Sequence, residues 1–181
     1  MSVNVRSYAK YIIYVLGAIC LLVIIAFNFI LYPIKYKNEI TIYSNKFGVE
    51  RALVASVIAA ESSFNTQAKS SKGAIGLMQI MPTTAKWLCG LSGDDYNQNR
   101  LFEAEYNIKL GTYYLMYLTN KFTNINVVIA AYNAGEGVVS NWLKSEEYST
   151  DGKTLIKIPY KETANYLNKV TRGINIYKDR F

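Results

Sequence analysis

From Tyr11 to Ile34 the chain runs for 24 residues without a charged side chain, bracketed by Lys10 and Lys35. As a helix this run reaches roughly 36 Å, longer than the ~30 Å hydrocarbon layer of a bilayer. A buried core helix of such length and apolarity does not suit a chain of 181 residues, so one transmembrane helix is expected. The chain then divides into a short tail over 1–10, a membrane anchor over 11–34 and one domain of ordinary size over 35–181. The competing reading is a cleaved signal peptide, which has a shorter apolar centre and small residues at its cleavage site. Here LLVIIAFNFILYP continues with bulky side chains. Cys20 follows Ile19 inside a run that continues well past it, which does not fit a lipidated cysteine.

Charge and composition exclude several chemistries. The chain has no histidine and two cysteines, Cys20 in the apolar run and Cys89 in the domain. Ser-His-Asp and Cys-His catalysis are therefore absent, as is every histidine-containing metal site. Neither a cofactor nor a metal is expected. Arg6 and Lys10 precede the anchor and no acid does, so of the formal +7 the domain carries 18 − 13 = +5. Its basic residues are scattered, which reads as a mildly cationic surface rather than a nucleic-acid-binding patch. The flanking charges (Arg6 and Lys10 against Lys35, Lys37, Lys46 and Arg51) do not by themselves favour an outward domain.

The domain reads as mostly helical, with little or no β structure. Helices are expected over Tyr36–Lys46, Val49–Ala60, from near Pro82, over Glu103–Phe122, through NINVVIAAYNAG, over Val138–Lys144 and over Lys161–Lys178. STDGKTLIKIP is a turn followed by an extended run, the one candidate strand.

Within this pattern, VIAAESSFN carries a carboxylate where helix packing does not want one. Glu61 falls three residues after Ile58, four after Val57 and seven after Val54, on the stripe of core-facing side chains. A carboxyl there loses solvation when ionised, so its pKa should rise, as a general acid requires. A solvated Glu at a fraying helix end is the alternative. SSKGAIGLMQIMP brings Gly73 and Gly76 close to Met78, Gln79 and Met81; this is either a close backbone approach or a glycine turn before a core helix. AAYNAGEG ends an apolar helix in Tyr132 and Asn133, which either face a cleft or serve as core and cap. In YKETANYLNKV, Glu162 and Tyr166 share a helix face, as surface pairs also do.

Taken in order, ES, GLMQIMP, AYNAG and ETANY resemble the family-1 lytic transglycosylases, over roughly Tyr36 to Tyr177. The resemblance implies a goose-type lysozyme-like helical fold. It implies that Glu61 is the single catalytic acid/base and that Ser70, before the GA turn, lies near it. It further implies that Gln79 and Met81 line a sugar cleft and that the Tyr132 hydroxyl approaches the acid, with Asn133 beside it. Glu162 and Tyr166 would support the site floor. Ser71 stands where the family commonly has proline, and Leu167 where it has valine.

Most glycoside hydrolysis uses two carboxylates, but Asp94 and Asp95 lie in a polar loop and Glu136 follows a turn, so none matches Glu61. The resemblance implies a nucleophile within the substrate. Glu61 protonates the oxygen between N-acetylmuramic acid and N-acetylglucosamine, then accepts the proton of the muramyl 6-hydroxyl as a 1,6-anhydro ring closes. The expected partners are peptidoglycan glycan strands and, through the N-terminal helix, the membrane. The domain would then face outward from a bacterial cell membrane. A goose-type lysozyme using water and a non-catalytic wall-binding protein are the alternatives.

Overall fold

A computed structural model describes residues 5–31 and 33–181, with side chains left undescribed at 5–7, 9 and 24–31. The tail expected over 1–10 and the anchor expected over 11–34 therefore fall partly outside the described residues. The chain divides into two compact units, Met1–Pro33 and Ile34–Phe181. In the first, helix α1 spans Val5–Leu31 and exposes its described apolar side chains, among them Tyr11, Ile13, Leu16 and Leu22. Among the described residues no helix is long and apolar enough to cross a membrane.

The second unit is built from seven helices: α2 (Lys37–Phe47), α3 (Arg51–Ser62), α4 (Pro82–Ser92), α5 (Ala104–Lys121), α6 (Ile125–Ala134), α7 (Glu136–Leu143) and α8 (Lys161–Tyr177). Local chemistry sets their ends. Gly48 takes a left-handed φ of 67° after α2, Pro82 opens α4, and the Asn124 side chain accepts from the Asn126 and Val127 amides at the start of α6. Every residue of α3 from Ala52 to Ile58 is buried, as a helix apolar on all sides should be. It lies mainly along α8, whose buried residues Tyr166, Val170, Gly173 and Tyr177 recur at helical spacing. At the crossing, a Cβ on Gly173 would sit 2.9 Å from Ser56 Oγ, so glycine permits the close approach.

The candidate strand does not form. Residues 153–159 are irregular; Asp151 turns the chain by accepting from the Lys153 and Thr154 amides, and Ile156 N–H bonds back to the Tyr148 carbonyl. The run has no neighbouring strand to complete a ladder, and a lone extended segment is not stable as β structure. Pairing instead occurs as two isolated bridges, Lys69 with Ile75 and Ile75 with Ile80, in the loop between α3 and α4.

That loop is fixed by one fully buried side chain on α5. Asn107 Oδ1 accepts from Met78 N at 2.8 Å, while Nδ2 donates to the carbonyls of Ile75 at 2.9 Å and Leu101 at 2.7 Å. Gly76, at φ 80°, packs so tightly that a Cβ would overlap both the Asn107 side chain and the Leu101 carbonyl. Gly111, one turn further along α5, leaves room for the Met78 side chain. Replacing Asn107 by Ala strands two buried backbone groups, the Met78 amide and the Leu101 carbonyl, each worth roughly 1–3 kcal/mol when unsatisfied, while the Ile75 carbonyl keeps the Ile80 amide. Asn107→Ala is therefore expected to lower stability by at least about 2 kcal/mol, read as a shifted urea midpoint for the full chain in detergent.

Candidate active site

Glu61 lies in the last turn of α3, inside the helix rather than beyond a frayed end. Loss of hydration is the largest influence on its carboxyl, pushing the pKa up from 4.5 to about 7. The Glu162 charge adds to the rise, and Tyr166 and Lys169 oppose it. Lys169 Nζ donates to the carbonyl of Ala60, the residue before the acid, at 2.7 Å. It thereby brings a cation to the negative end of α3.

Two tyrosines face this carboxyl. The Tyr132 hydroxyl donates to the Met78 carbonyl at 2.9 Å. The hydroxyl's hydrogen bond is thus made to the loop, and the acid's charge also reaches Tyr132. Burial first, and the Glu61 charge second, hold Tyr132 well above its ordinary pKa. Tyr166 is raised for the same two reasons in the same order. Its hydroxyl is close enough to Glu61 to favour the carboxylate form, yet no contact meets full hydrogen-bond geometry. It is one of three buried side-chain oxygens without a partner among the described residues, with Ser44 Oγ and Thr112 Oγ1.

The other sequence-derived candidates take distinct positions. Gln79 has a left-handed φ of 47°, and its Nε2 donates to the carbonyls of Gly76 at 2.9 Å and Ala68 at 3.1 Å. Both amide hydrogens are thus used in holding the loop. Gln79, Met81, Thr84, Tyr114, Tyr132 and Asn133 line a cavity of about 240 Å³. Asn133 also accepts from Thr163 Oγ1 at 2.7 Å, tying α6 to α8. Ser70 Oγ accepts from the Ala74 amide at 2.9 Å; its hydrogen bonds close the 70–74 turn and none reaches Glu61. Glu162 is exposed and lies 3.9 Å from exposed Lys72.

The alternative carboxylates lie elsewhere. Asp94 pairs with Lys109 at 2.6 Å and accepts from Ser92; those bonds lower its pKa, the opposite of a proton donor's need. Glu136 pairs with Lys121 at 2.6 Å. No group of three or more His, Cys, Asp or Glu side chains among the described residues could hold a metal ion. The residues not singled out from sequence are Asn107, Tyr114 and Lys169. Asn107 had a usable signal, a polar side chain three and four residues before Leu110 and Gly111 on the packed face of α5.

Residues 38–156 match the family described as the transglycosylase SLT domain. The chain is 36% identical over 143 residues to a soluble lytic murein transglycosylase of Salmonella typhimurium, covering 77% of this chain and 22% of that one. It is 33% identical over 167 residues to a membrane-bound lytic murein transglycosylase C of Haemophilus ducreyi, covering 79% of this chain and 45% of that one. This chain thus spans less than half the length of either relative. Among solved structures, the lytic transglycosylase Slt of Pseudomonas aeruginosa, in an inactive mutant form, superposes with a TM-score of 0.74 at 30% identity, over 82% of this chain and 25% of that one. A 70-kDa soluble lytic transglycosylase in complex with bulgecin A superposes with a TM-score of 0.73 at 29% identity, over 81% of this chain and 24% of that one.

Burial of the acid has a thermodynamic consequence of definite sign. Between pH 4.5 and about 7 the native state holds a proton that the unfolded chain has released, so stability falls as pH rises through that window. The full penalty is about 3 kcal/mol. Glu61→Gln should be more stable than the parent chain above pH 7 by up to that amount, with the difference vanishing below pH 4.5. Urea titrations at both ends of the range read it directly.

Proposed function

The chain belongs to the transglycosylase SLT domain family, and from that premise we propose that it is a peptidoglycan lytic transglycosylase. It cleaves the β-1,4 bond between N-acetylmuramic acid and N-acetylglucosamine, with Glu61 as its one general acid/base. The observation that carries this reading is a half-buried carboxyl whose lost hydration lifts its pKa to about 7, with no second carboxylate comparably confined. Such a site can give and take one proton, but it lacks the partner that a two-carboxylate hydrolysis needs.

Glu61, protonated, donates to the glycosidic oxygen as the anomeric C–O bond breaks. The resulting carboxylate takes the proton of the muramyl 6-hydroxyl, whose oxygen closes on the anomeric carbon. No water is consumed, and the acid ends protonated as it began. A tethered hydroxyl is favoured because its effective concentration exceeds that of any free nucleophile. The carboxylate formed midway is supported by the unpartnered Tyr166 hydroxyl and the Lys169 charge. The Tyr132 hydroxyl, fixed on the Met78 carbonyl, keeps the cavity wall in register with the acid. Ser70 serves this site through the turn it closes, and Gln79 through the loop it pins.

The substrate lies outside the cell membrane, so the catalytic unit works on the extracytoplasmic face. The uncharged run over 11–34 is its single-pass anchor, with 1–10 as the tail and 35–181 as the enzyme. Similarity to membrane-bound relatives supports this arrangement, as does the exposure of the described apolar side chains of α1.

Glu61→Gln is expected to abolish release of muropeptides from purified wall while the circular dichroism spectrum stays unchanged. Mass spectrometry of the parent's products should find ends lighter by one water; reducing ends would instead indicate a lysozyme. Activity should fall as pH rises through about 7. Tyr166→Phe removes a group that favours the carboxylate, so it should move that alkaline limb upward while leaving stability nearly unchanged below pH 4.5, where Glu61 is protonated in both states.

A further inference from the structure

Helix α4 has an apolar line on its outer side that packing does not explain. Its buried residues are Ala85, Leu88 and Cys89. Yet Met81, Trp87 and Leu91 are exposed by 37%, 39% and 51%. With Thr84 between them, these residues recur at offsets of three, three and four, which is one face of a helix.

Trp87 is not a loose surface residue. Its indole stands edge-on to Tyr117, with ring centroids 4.9 Å apart at 89°, and to Tyr114 at 6.2 Å and 88°. Tyr114 in turn meets the Tyr132 ring at 5.3 Å. Aromatic contact therefore runs unbroken from the tyrosine that feels the Glu61 charge out to an exposed indole. The cavity wall includes Met81, Thr84 and Tyr114, so the outer face of α4 continues that wall. At the far end, Tyr117 borders the Lys121–Glu136 ion pair, giving the apolar surface a charged, hydrogen-bonding rim.

An indole held rigid by neighbouring rings, half-open to solvent and polar at its border, matches one kind of ligand. The faces of a pyranose ring carry C–H groups that sit well on an electron-rich aromatic face, while its edge carries hydroxyls for the rim. We propose that Trp87, braced by Tyr117 and Tyr114, is a sugar-stacking shelf that takes a ring of the glycan strand beyond the bond being cut. This rests on the glycan-cleaving reading above and extends it. The shelf makes the enzyme prefer long strands, because binding energy from a remote sugar is available to the reacting centre.

Two measurements test this. The chain has two tryptophans, and Trp142 is 7% exposed. In full-length Trp142→Phe/Glu61→Gln in detergent, the fluorescence therefore reports on Trp87 alone. Titration with N-acetylglucosamine oligomers should shift its emission to the blue, saturably for the longer oligomers and not for the disaccharide. With Glu61 intact, Trp87→Ala should lower kcat/KM on long glycan strands about tenfold, and leave the shortest cleavable substrate unchanged. Trp87→Phe, which keeps a ring, should retain most of the preference and guards against a folding defect.

The shelf is overturned if the emission does not move while calorimetry reports oligomer binding. It is overturned equally if Trp87→Ala slows short and long substrates alike, or if lipid vesicles without saccharide produce the shift. Should Glu61→Gln still cut wall, the catalytic assignment fails, but the fluorescence titration still decides the shelf.

Discussion

The site depends on three hydrogen bonds made by one amide. Asn107, buried on α5, satisfies the Met78 amide and the Ile75 and Leu101 carbonyls. Without it, the Met78 amide and the Leu101 carbonyl would be buried with no partner, a state native proteins avoid. With it, the loop between α3 and α4 becomes as fixed as a helix. The Met78 carbonyl is then oriented to receive Tyr132, Gln79 takes its left-handed backbone, and Ser62 Oγ ties the acid-bearing helix to the Leu77 carbonyl at 2.8 Å. An irregular loop thus acts as a rigid wall because a side chain replaces the missing secondary structure.

On that wall the electrostatics follow from exclusion of water. Glu61 has neighbours of both signs, but desolvation outweighs them. Tyr166 and Lys169 limit the rise and leave the acid near the pH where a single group can both give and take a proton. The arrangement opposes folding, since the protein would be more stable with an amide in that place. Such a conflict between local stability and surroundings is a mark of a site kept for chemistry.

Much of this was legible in the chain, for reasons that differ by residue. Glu61 was visible because helical spacing alone put a charge among core positions, and the structure leaves it half-buried and largely desolvated. The helices were visible because Gly48, Pro82, Asn124 and Gly135 punctuate them by local chemistry. Residues 153–159 misled because alternation signals a strand only if another strand is available to pair with it, and pairing is not a local property. The Tyr132 hydroxyl bonds Met78, a carbonyl 54 residues away in sequence. Lys169 reaches the Ala60 carbonyl across 109 residues. Nothing in either local sequence could have given that contact.

After Glu61 the backbone reverses through two successive left-handed residues, Ser63 and Phe64. The Phe64 ring is locked edge-on against Tyr177, at the end of α8. The carboxyl acquires its altered acidity from the packing of the folded chain around it, because loss of hydration is the largest influence on it. While the chain is still extended, residue 61 is a hydrated glutamate like any other. The acidity of residue 61 is thus a property of the assembled fold and not of the local sequence.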